Sequence, residues 1–292
     1  MALRRLPQYL RSSVWATSEA WGAAPRSRGL WTDPSSRCLR LIRAEATLPG
    51  FVWNSVTYSF GKQALSTGRD QIETSGIKRL RLMALGGSVT YGRGSTDNLG
   101  YRRKLCEMLR ADGYQVDFIG SRKTSSLQND AHEGWRGSRI DQIETKARRS
   151  VALHMPDVFT VNAGSNDCLQ DFHIDQAGER MGQLLDFLWS ACPNTTIILS
   201  TLLVNQDRSA ESRVGLINEH FRALAEQKAA ENKKIILVDM HTADGPQLRD
   251  LVDGTHPNDE GYDKMARIWY RGIKEAASKQ RGIGGCSYAN PD

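Results

Sequence analysis

Residues 80–90 read Leu80-Arg81-Leu82-Met83-Ala84-Leu85-Gly86-Gly87-Ser88-Val89-Thr90. Residues 80–85 form a short run that is apolar at every position except Arg81, and such a run is typical of a buried strand. Glycine-rich residues 86–100 predict a loop, and residues 101–111 have the spacing of a helix with its charges on one side. A strand, a loop and a helix in this order form the first unit of an α/β domain.

The same alternation continues along the chain. Further strands are predicted at 115–119, 158–161, 196–203 and 234–239. Further helices are predicted at 140–151, 176–190, 213–232 and 260–277. This order predicts a five-stranded parallel sheet with helices on both faces, a three-layer α/β/α sandwich.

Length and composition limit the number of domains. A chain of 292 residues, 39% of them hydrophobic, is expected to hold one domain of about 200 residues with an appendage. We place the α/β domain at residues 78–280 and a C-terminal tail at 281–292. Residues 44–77 are interpreted as a linker, an edge strand or a peripheral cap.

The net charge of +6 comes from the first 43 residues, which hold eight arginines against Glu19 and Asp33. The rest of the chain is formally neutral. No basic face is therefore expected on the folded domain, and nucleic acid is not an expected partner. The oligomeric state is not predicted.

The arginine-rich, acid-poor residues 1–43 resemble a mitochondrial transit peptide but lack a sustained amphipathic pattern and a secretory apolar core. A disordered tail, or a misassigned start that hides a signal peptide, is the alternative. Localisation therefore stays open between secreted, mitochondrial and cytoplasmic. No stretch reaches the roughly 18 to 20 apolar residues of a membrane span, so no transmembrane segment is expected.

Polar residues follow the predicted strands where parallel sheets bind ligands, beyond the carboxyl ends. Ser88 follows the first strand, and Gly164-Ser165-Asn166-Asp167 follows the third. Asp253 and His256 directly precede the last helix. We expect these residues to meet at one edge of the sheet.

These residue types supply the parts of an acyl-transfer site. A serine hydroxyl attacks only when a base takes its proton, and Ser88 and His256 are the candidate nucleophile and base. Asp253, three residues before His256, is placed to hold the other ring nitrogen. The alternatives are an ordinary turn serine and an idle pair in a surface loop.

Acyl transfer also needs donors for the developing oxyanion, and each lost donor costs about 3 to 4 kcal/mol. The candidates are the backbone N–H groups of Ser88 and Gly137 and the side-chain amide of Asn166. Trp135, beside Gly137, is a candidate platform for a sugar ring, or else a packed core aromatic.

Five cysteines are scattered without a C-x-x-C motif, so no zinc or redox motif is predicted. Cys168 is either a second candidate nucleophile, a small buried residue or half of a disulfide. The other five histidines lack an acidic partner as well placed as that of His256.

Ser88, Gly137, Asn166 and His256, in this order, resemble the four invariant positions that name the SGNH (GDSL-type) hydrolases, with Asp253 as the usual third triad member. The resemblance covers residues 80–277. Residues 117–121, 132–135, 140–143 and 253–258 resemble carbohydrate esterase family 3, its acetylxylan-esterase-like branch and fungal members in particular. This implies a flavodoxin-like fold, no cofactor or metal, and deacetylation of a polysaccharide through an acyl-serine.

The chain departs from the family at Gly87, where the family normally has Asp. We expect a more mobile nucleophile loop and a lower rate from this change. The predicted function is that of a serine esterase for small acyl groups. The alternatives are a lysophospholipase or thioesterase acting on longer chains, and a catalytically impaired carbohydrate-binding protein.

Overall fold

A computed structural model describes residues 78–125 and 129–283. The predictions for residues 1–43 and 44–77 lie outside the described residues, as does most of the predicted tail. None of the helices within the described part of the chain is long and apolar enough to cross a membrane.

The sheet has the five predicted strands and one more. Its strands are β1 (Lys78–Gly86), β2 (Tyr114–Phe118), β3 (Glu133–Gly134), β4 (Val158–Asn162), β5 (Thr196–Ser200) and β6 (Ile235–Val238). All pairs are parallel, in the order β2-β1-β4-β5-β6, and β3 pairs with the end of β1. This is the flavodoxin-like order. The additional strand, β3, has only two residues, which are too few to show an alternation of apolar and polar side chains.

Within the described residues, seven α-helices lie between the strands and after the last one. They are α1 (Ser88–Tyr91), α2 (Tyr101–Ala111), α3 (Ile140–His154), α4 (Ser165–Gln170), α5 (Ala177–Ala191), α6 (Arg208–Ala230) and α7 (Asp259–Ile283). The short helices α1 and α4 were not predicted, and α1 lies where a loop was expected. Helix α6 begins earlier than predicted because the Asp207 side chain accepts a hydrogen bond from the Ala210 N–H at 2.8 Å.

The helices cover both faces of the sheet. Along β1, Leu82 and Ala84 pack with residues of α2 and α7. The alternate residues Met83 and Leu85 pack with residues of α3, α5 and α6. Since successive side chains of a strand point to opposite faces, β1 contributes to two separate hydrophobic cores. The predicted three-layer sandwich is confirmed.

The burial of β1 allows a prediction about the stability of the domain. Leu82 is fully buried, whereas Leu216 on α6 is 49% exposed. We expect Leu82→Ala to lower the free energy of unfolding by about 3 to 5 kcal/mol, because it leaves a cavity in the core. Leu216→Ala, the matched control, should change it by less than about 0.5 kcal/mol. Urea unfolding measures both, and equal losses would contradict the assigned burial.

Candidate active site

Ser88 is held at the carboxyl end of β1 by a close backbone contact. A Cβ on Gly86 would lie 2.0 Å from the Asn162 carbonyl oxygen, so only glycine fits there. The Gly87 N–H donates to the same oxygen at 3.3 Å. Helix α1 begins directly afterwards at Ser88. Because a first-turn N–H has no acceptor within its own helix, the Ser88 N–H is left for another partner.

Asp253 and His256 lie in a tight loop just before α7. The loop is closed by a bridge between Leu251 and Pro257, and the Val252 N–H donates to the His256 carbonyl at 2.9 Å. Gly254 sits in the loop with φ at +79°, a conformation that favours glycine. This turn places the two side chains next to each other.

The three side chains form a continuous hydrogen-bonded row. His256 Nε2 lies 2.8 Å from Ser88 Oγ, and His256 Nδ1 lies 2.8 Å from Asp253 Oδ2. Partial burial acts to raise the pKa of Asp253, but hydrogen bonds from the His256 backbone N–H and ring outweigh it and hold that pKa below its usual range. Asp253 is therefore ionised at neutral pH and favours the tautomer with the proton on Nδ1, which leaves Nε2 to accept the Ser88 proton.

The structure brings the three predicted oxyanion donors to this edge as well. The Asn166 amide donates one hydrogen to the Ser138 carbonyl at 3.1 Å, and its second hydrogen is available. The loop that carries Gly137 is fastened to β1 through the Trp135 N–H, which donates to the Gly86 carbonyl at 2.8 Å. Gly137 and Asn166 line the same cleft as Ser88 and His256.

Asp167 has a positioning role that the sequence did not indicate. Its buried carboxylate accepts from Arg180 Nη2 at 2.9 Å and from the Ile140 N–H at 3.1 Å. Burial raises the pKa of Asp167, and the hydrogen bonds from Arg180 and Ile140 oppose the rise. The Ile140 contact ties the helix that carries Asn166 to the start of α3, close to Gly137, and the Arg180 contact ties it to α5. The only sequence signal was an acid next to Asn166.

Two cavities border Ser88. One is an open cleft of about 560 Å³, lined by Ser88, Arg93, Arg136, Gly137, Ser165, Asn166, Leu169, Thr255 and His256. The other is a niche of about 10 Å³, lined by Gly87, Ser88, Val89, Asn162, Ala163, Gly164, Ser165 and Asn166. A cavity of about 620 Å³ lies beside Lys78, at the start of β1, and contains none of the predicted site residues. The predicted site residues therefore lie at the first two cavities.

Trp135 does not line the cleft. Its half-buried indole packs against the hydrophobic core and donates to Glu133 Oε2 at 3.0 Å, and the Arg122 guanidinium lies 4.3 Å from the ring centre. This is the environment of the packed aromatic, which was the alternative to a sugar platform.

Cys168 is a free, buried cysteine. Burial and the neighbouring Asp167 raise the pKa of its thiol to about 12. The thiol is protonated at neutral pH, so the structure favours the small buried residue over a second nucleophile.

The remaining histidines differ from His256 in their surroundings. His132 is fully buried, and burial together with the charge of Arg102 lowers its pKa to about 3, so it is neutral. His241 does have an acidic partner, since its Nε2 lies 2.8 Å from Glu211 Oε1. The two residues are far apart in the sequence, so no local spacing revealed this pair.

Comparison with known proteins agrees with this geometry. Residues 84–264 match the GDSL-like Lipase/Acylhydrolase family. The chain belongs to this family. A Clostridium thermocellum family 3 carbohydrate esterase is 27% identical and superposes with a TM-score of 0.61, over 69% of this chain and 98% of that one.

Two further relatives extend the comparison. A family 3 carbohydrate esterase from Talaromyces cellulolyticus shares the fold, with 21% identity and a TM-score of 0.60 over 68% of this chain and 99% of that one. A multidomain esterase of Ruminococcus flavefaciens is 29% identical over 69% of this chain. The chain spans 29% of the length of that relative.

Gly87, the departure from the GDSL pattern, occupies the N-cap position of α1 and makes no side-chain capping bond. Its φ of −91° is open to any residue, and an added Cβ would lie 3.4 Å from Asn166 Nδ2. An aspartate therefore fits here, where its carboxylate could accept from the free backbone N–H groups of the first turn of α1.

We expect Gly87→Asp to raise kcat about twofold or more, because a cap worth a few tenths of a kcal/mol holds Ser88 more firmly in position. Gly87→Ala adds the same Cβ without a capping group and should give no such gain. Steady-state rates on p-nitrophenyl acetate compare the variants. A rate for Gly87→Asp at or below that of Gly87→Ala would remove the capping explanation.

Proposed function

We propose that the chain is a serine esterase that removes small acyl groups, chiefly acetyl groups from a polysaccharide. The proposal rests mainly on the contact between Ser88 Oγ and His256 Nε2 at 2.8 Å, with Asp253 behind the imidazole. Membership of a lipase and acylhydrolase family supports the same chemistry. We infer that residues 78–280 form the catalytic domain.

The first step acylates Ser88. As Ser88 Oγ attacks the ester carbonyl carbon, its proton passes to His256 Nε2, and Asp253 stabilises the imidazolium that results. The carbonyl oxygen becomes an oxyanion. The N–H groups of Ser88 and Gly137 and the amide of Asn166 would donate to that oxygen.

The remaining steps release first the alcohol, which completes the acylation, and then the acid. The carbon–oxygen bond to the alcohol breaks, and the imidazolium returns its proton to the departing sugar hydroxyl. Water then attacks the acyl-serine while His256 accepts its proton, and acetate leaves as Ser88 regains a hydrogen. The residues of the chain supply the nucleophile, the base and the oxyanion donors of these steps, and water is the second substrate.

The size of the niche beside Ser88 favours a short acyl group. Its volume of about 10 Å³ is at the lower limit of the space that a single water needs, so the niche has no room for a long acyl chain. The family 3 carbohydrate esterase of Clostridium thermocellum supports the placement in that branch. The resemblance to fungal members in particular stays a prediction.

The alternatives have less support. A long acyl chain of a lysophospholipid or thioester would have to lie in the open cleft, where Leu169 is accompanied by two exposed guanidinium groups, those of Arg93 and Arg136. A non-catalytic carbohydrate-binding protein would have no use for a serine in hydrogen-bond contact with a histidine and its carboxylate.

Chain-length dependence tests the proposal. Across p-nitrophenyl esters from acetate to decanoate, we expect kcat/KM to be highest for acetate, because the niche beside Ser88 has no room for a long acyl chain. Ser88→Ala should lower kcat by about a thousandfold or more. Circular dichroism checks that the variant is folded. A preference for decanoate would favour the lipid hydrolase, and full activity of Ser88→Ala would reject the serine mechanism.

A further inference from the structure

Two arginines from different loops line the cleft in front of Ser88. Arg93 lies two residues after the end of α1, and Arg136 immediately precedes Gly137. Both side chains are exposed, and both border the same cleft as His256. No acidic residue lines this cleft within the described part of the chain. The approach to the site therefore carries positive charge although the chain beyond residue 43 is formally neutral.

Arg136 has no ion-pair partner among the described residues. Its guanidinium lies 5.4 Å from the centre of the Tyr91 ring, a contact that supports the side chain without neutralising it. The charge of Arg136 is therefore available to a molecule in the cleft.

Arg93 is only partly neutralised. Its Nε lies 3.6 Å from Asp253 Oδ2, and the side chain is 46% exposed. Because Asp253 already accepts from the ring and backbone of His256, its negative charge is shared. The terminal nitrogens of Arg93 make no hydrogen bond to any described residue, which leaves them free to donate.

We propose that Arg93 and Arg136 bind an anionic group on the alcohol part of the ester, so that the substrate is an acetylated sugar with a carboxylate, such as an acetylated uronic acid. This inference rests on the proposed esterase function. The acyl niche contains neither arginine, so their charge faces the alcohol part. A guanidinium binds a carboxylate through two parallel hydrogen bonds. A phosphate shares this chemistry, and the test below separates the two.

A matched substrate pair tests the inference. Methyl tri-O-acetyl-glucuronoside and methyl tri-O-acetyl-glucoside differ only at the exocyclic carbon 6, which is a carboxylate in the first and a hydroxymethyl group in the second. We expect kcat/KM to be about tenfold higher for the glucuronoside, the effect of about 1.4 kcal/mol of added binding. An acetylated glucose 6-phosphate forms the third arm, and its kcat/KM should be lower than that of the glucuronoside.

Arg136→Gln should bring the ratio of the two kcat/KM values close to one. Arg79→Gln is the matched control. It makes the same change in net charge at an exposed residue near the start of β1, at the opposite end of this strand from Ser88, and should leave the ratio unchanged. An unchanged ratio in Arg136→Gln, or equal kcat/KM values in the wild type, would overturn the inference. A higher kcat/KM for the phosphate than for the glucuronoside would reject the carboxylate and indicate a phosphate as the anionic group.

Binding separates this inference from the esterase proposal. With Ser88→Ala, calorimetry should show tighter binding of the glucuronoside than of the glucoside. If the wild type binds in this way but hydrolyses no acetyl ester, the esterase proposal fails and the anion site stands. If both sugars are hydrolysed with equal kcat/KM, the esterase proposal stands and the anion site fails.

Discussion

The close approach of Gly86 to the backbone of Asn162 is the contact on which the site depends. At this point β1 and β4 end side by side, with a separation that leaves no room for a Cβ. Ser88 continues from one strand, and Asn166 follows the other. The proposed nucleophile and an oxyanion donor therefore occupy neighbouring positions because two parallel strands end together. A larger residue at position 86 would push the ends of β1 and β4 apart and so move Ser88 away from Asn166.

The loop of His256 reaches the same edge through contacts made by α7. Lys264 Nζ lies 2.7 Å from Asp250 Oδ2, which anchors the beginning of the loop. The Tyr262 hydroxyl donates to the Arg93 carbonyl at 2.6 Å, so the segment after Ser88 is joined to the helix after His256. The buried Arg102 forms an ion pair with Asp130 at 3.2 Å and donates a hydrogen bond to the carbonyl of Thr90 in α1. Charged and polar groups thus fix the loops where the hydrophobic cores end.

The sequence predicted the sheet well because the inner strands β4 and β5 are short, mostly apolar runs. The strand β2 at the end of the strand order alternates between polar and apolar residues, which is also typical of a strand. The sequence did not predict β3, α1 or α4, since a strand of two residues and helices of four and six residues are too short to repeat their pattern. Ser88, Asp253 and His256 were identifiable because their chemistry is specific and the strand ends place them together. Asp167, Arg136 and the pairing of His241 with Glu211 were not, because their roles come from contacts between residues distant in the sequence. The net charge also did not indicate the positive charge of the cleft, because it is a sum over all residues of the chain.

Reaction with a fluorophosphonate probe tests the central claim most directly, because the probe modifies a serine only when a base activates it. We predict that the wild-type protein is labelled at Ser88, that His256→Ala reacts far more slowly while remaining folded, and that Ser88→Ala is not labelled. Peptide mass spectrometry locates the modified residue. Equal labelling of the wild type and Ser88→Ala would contradict the account.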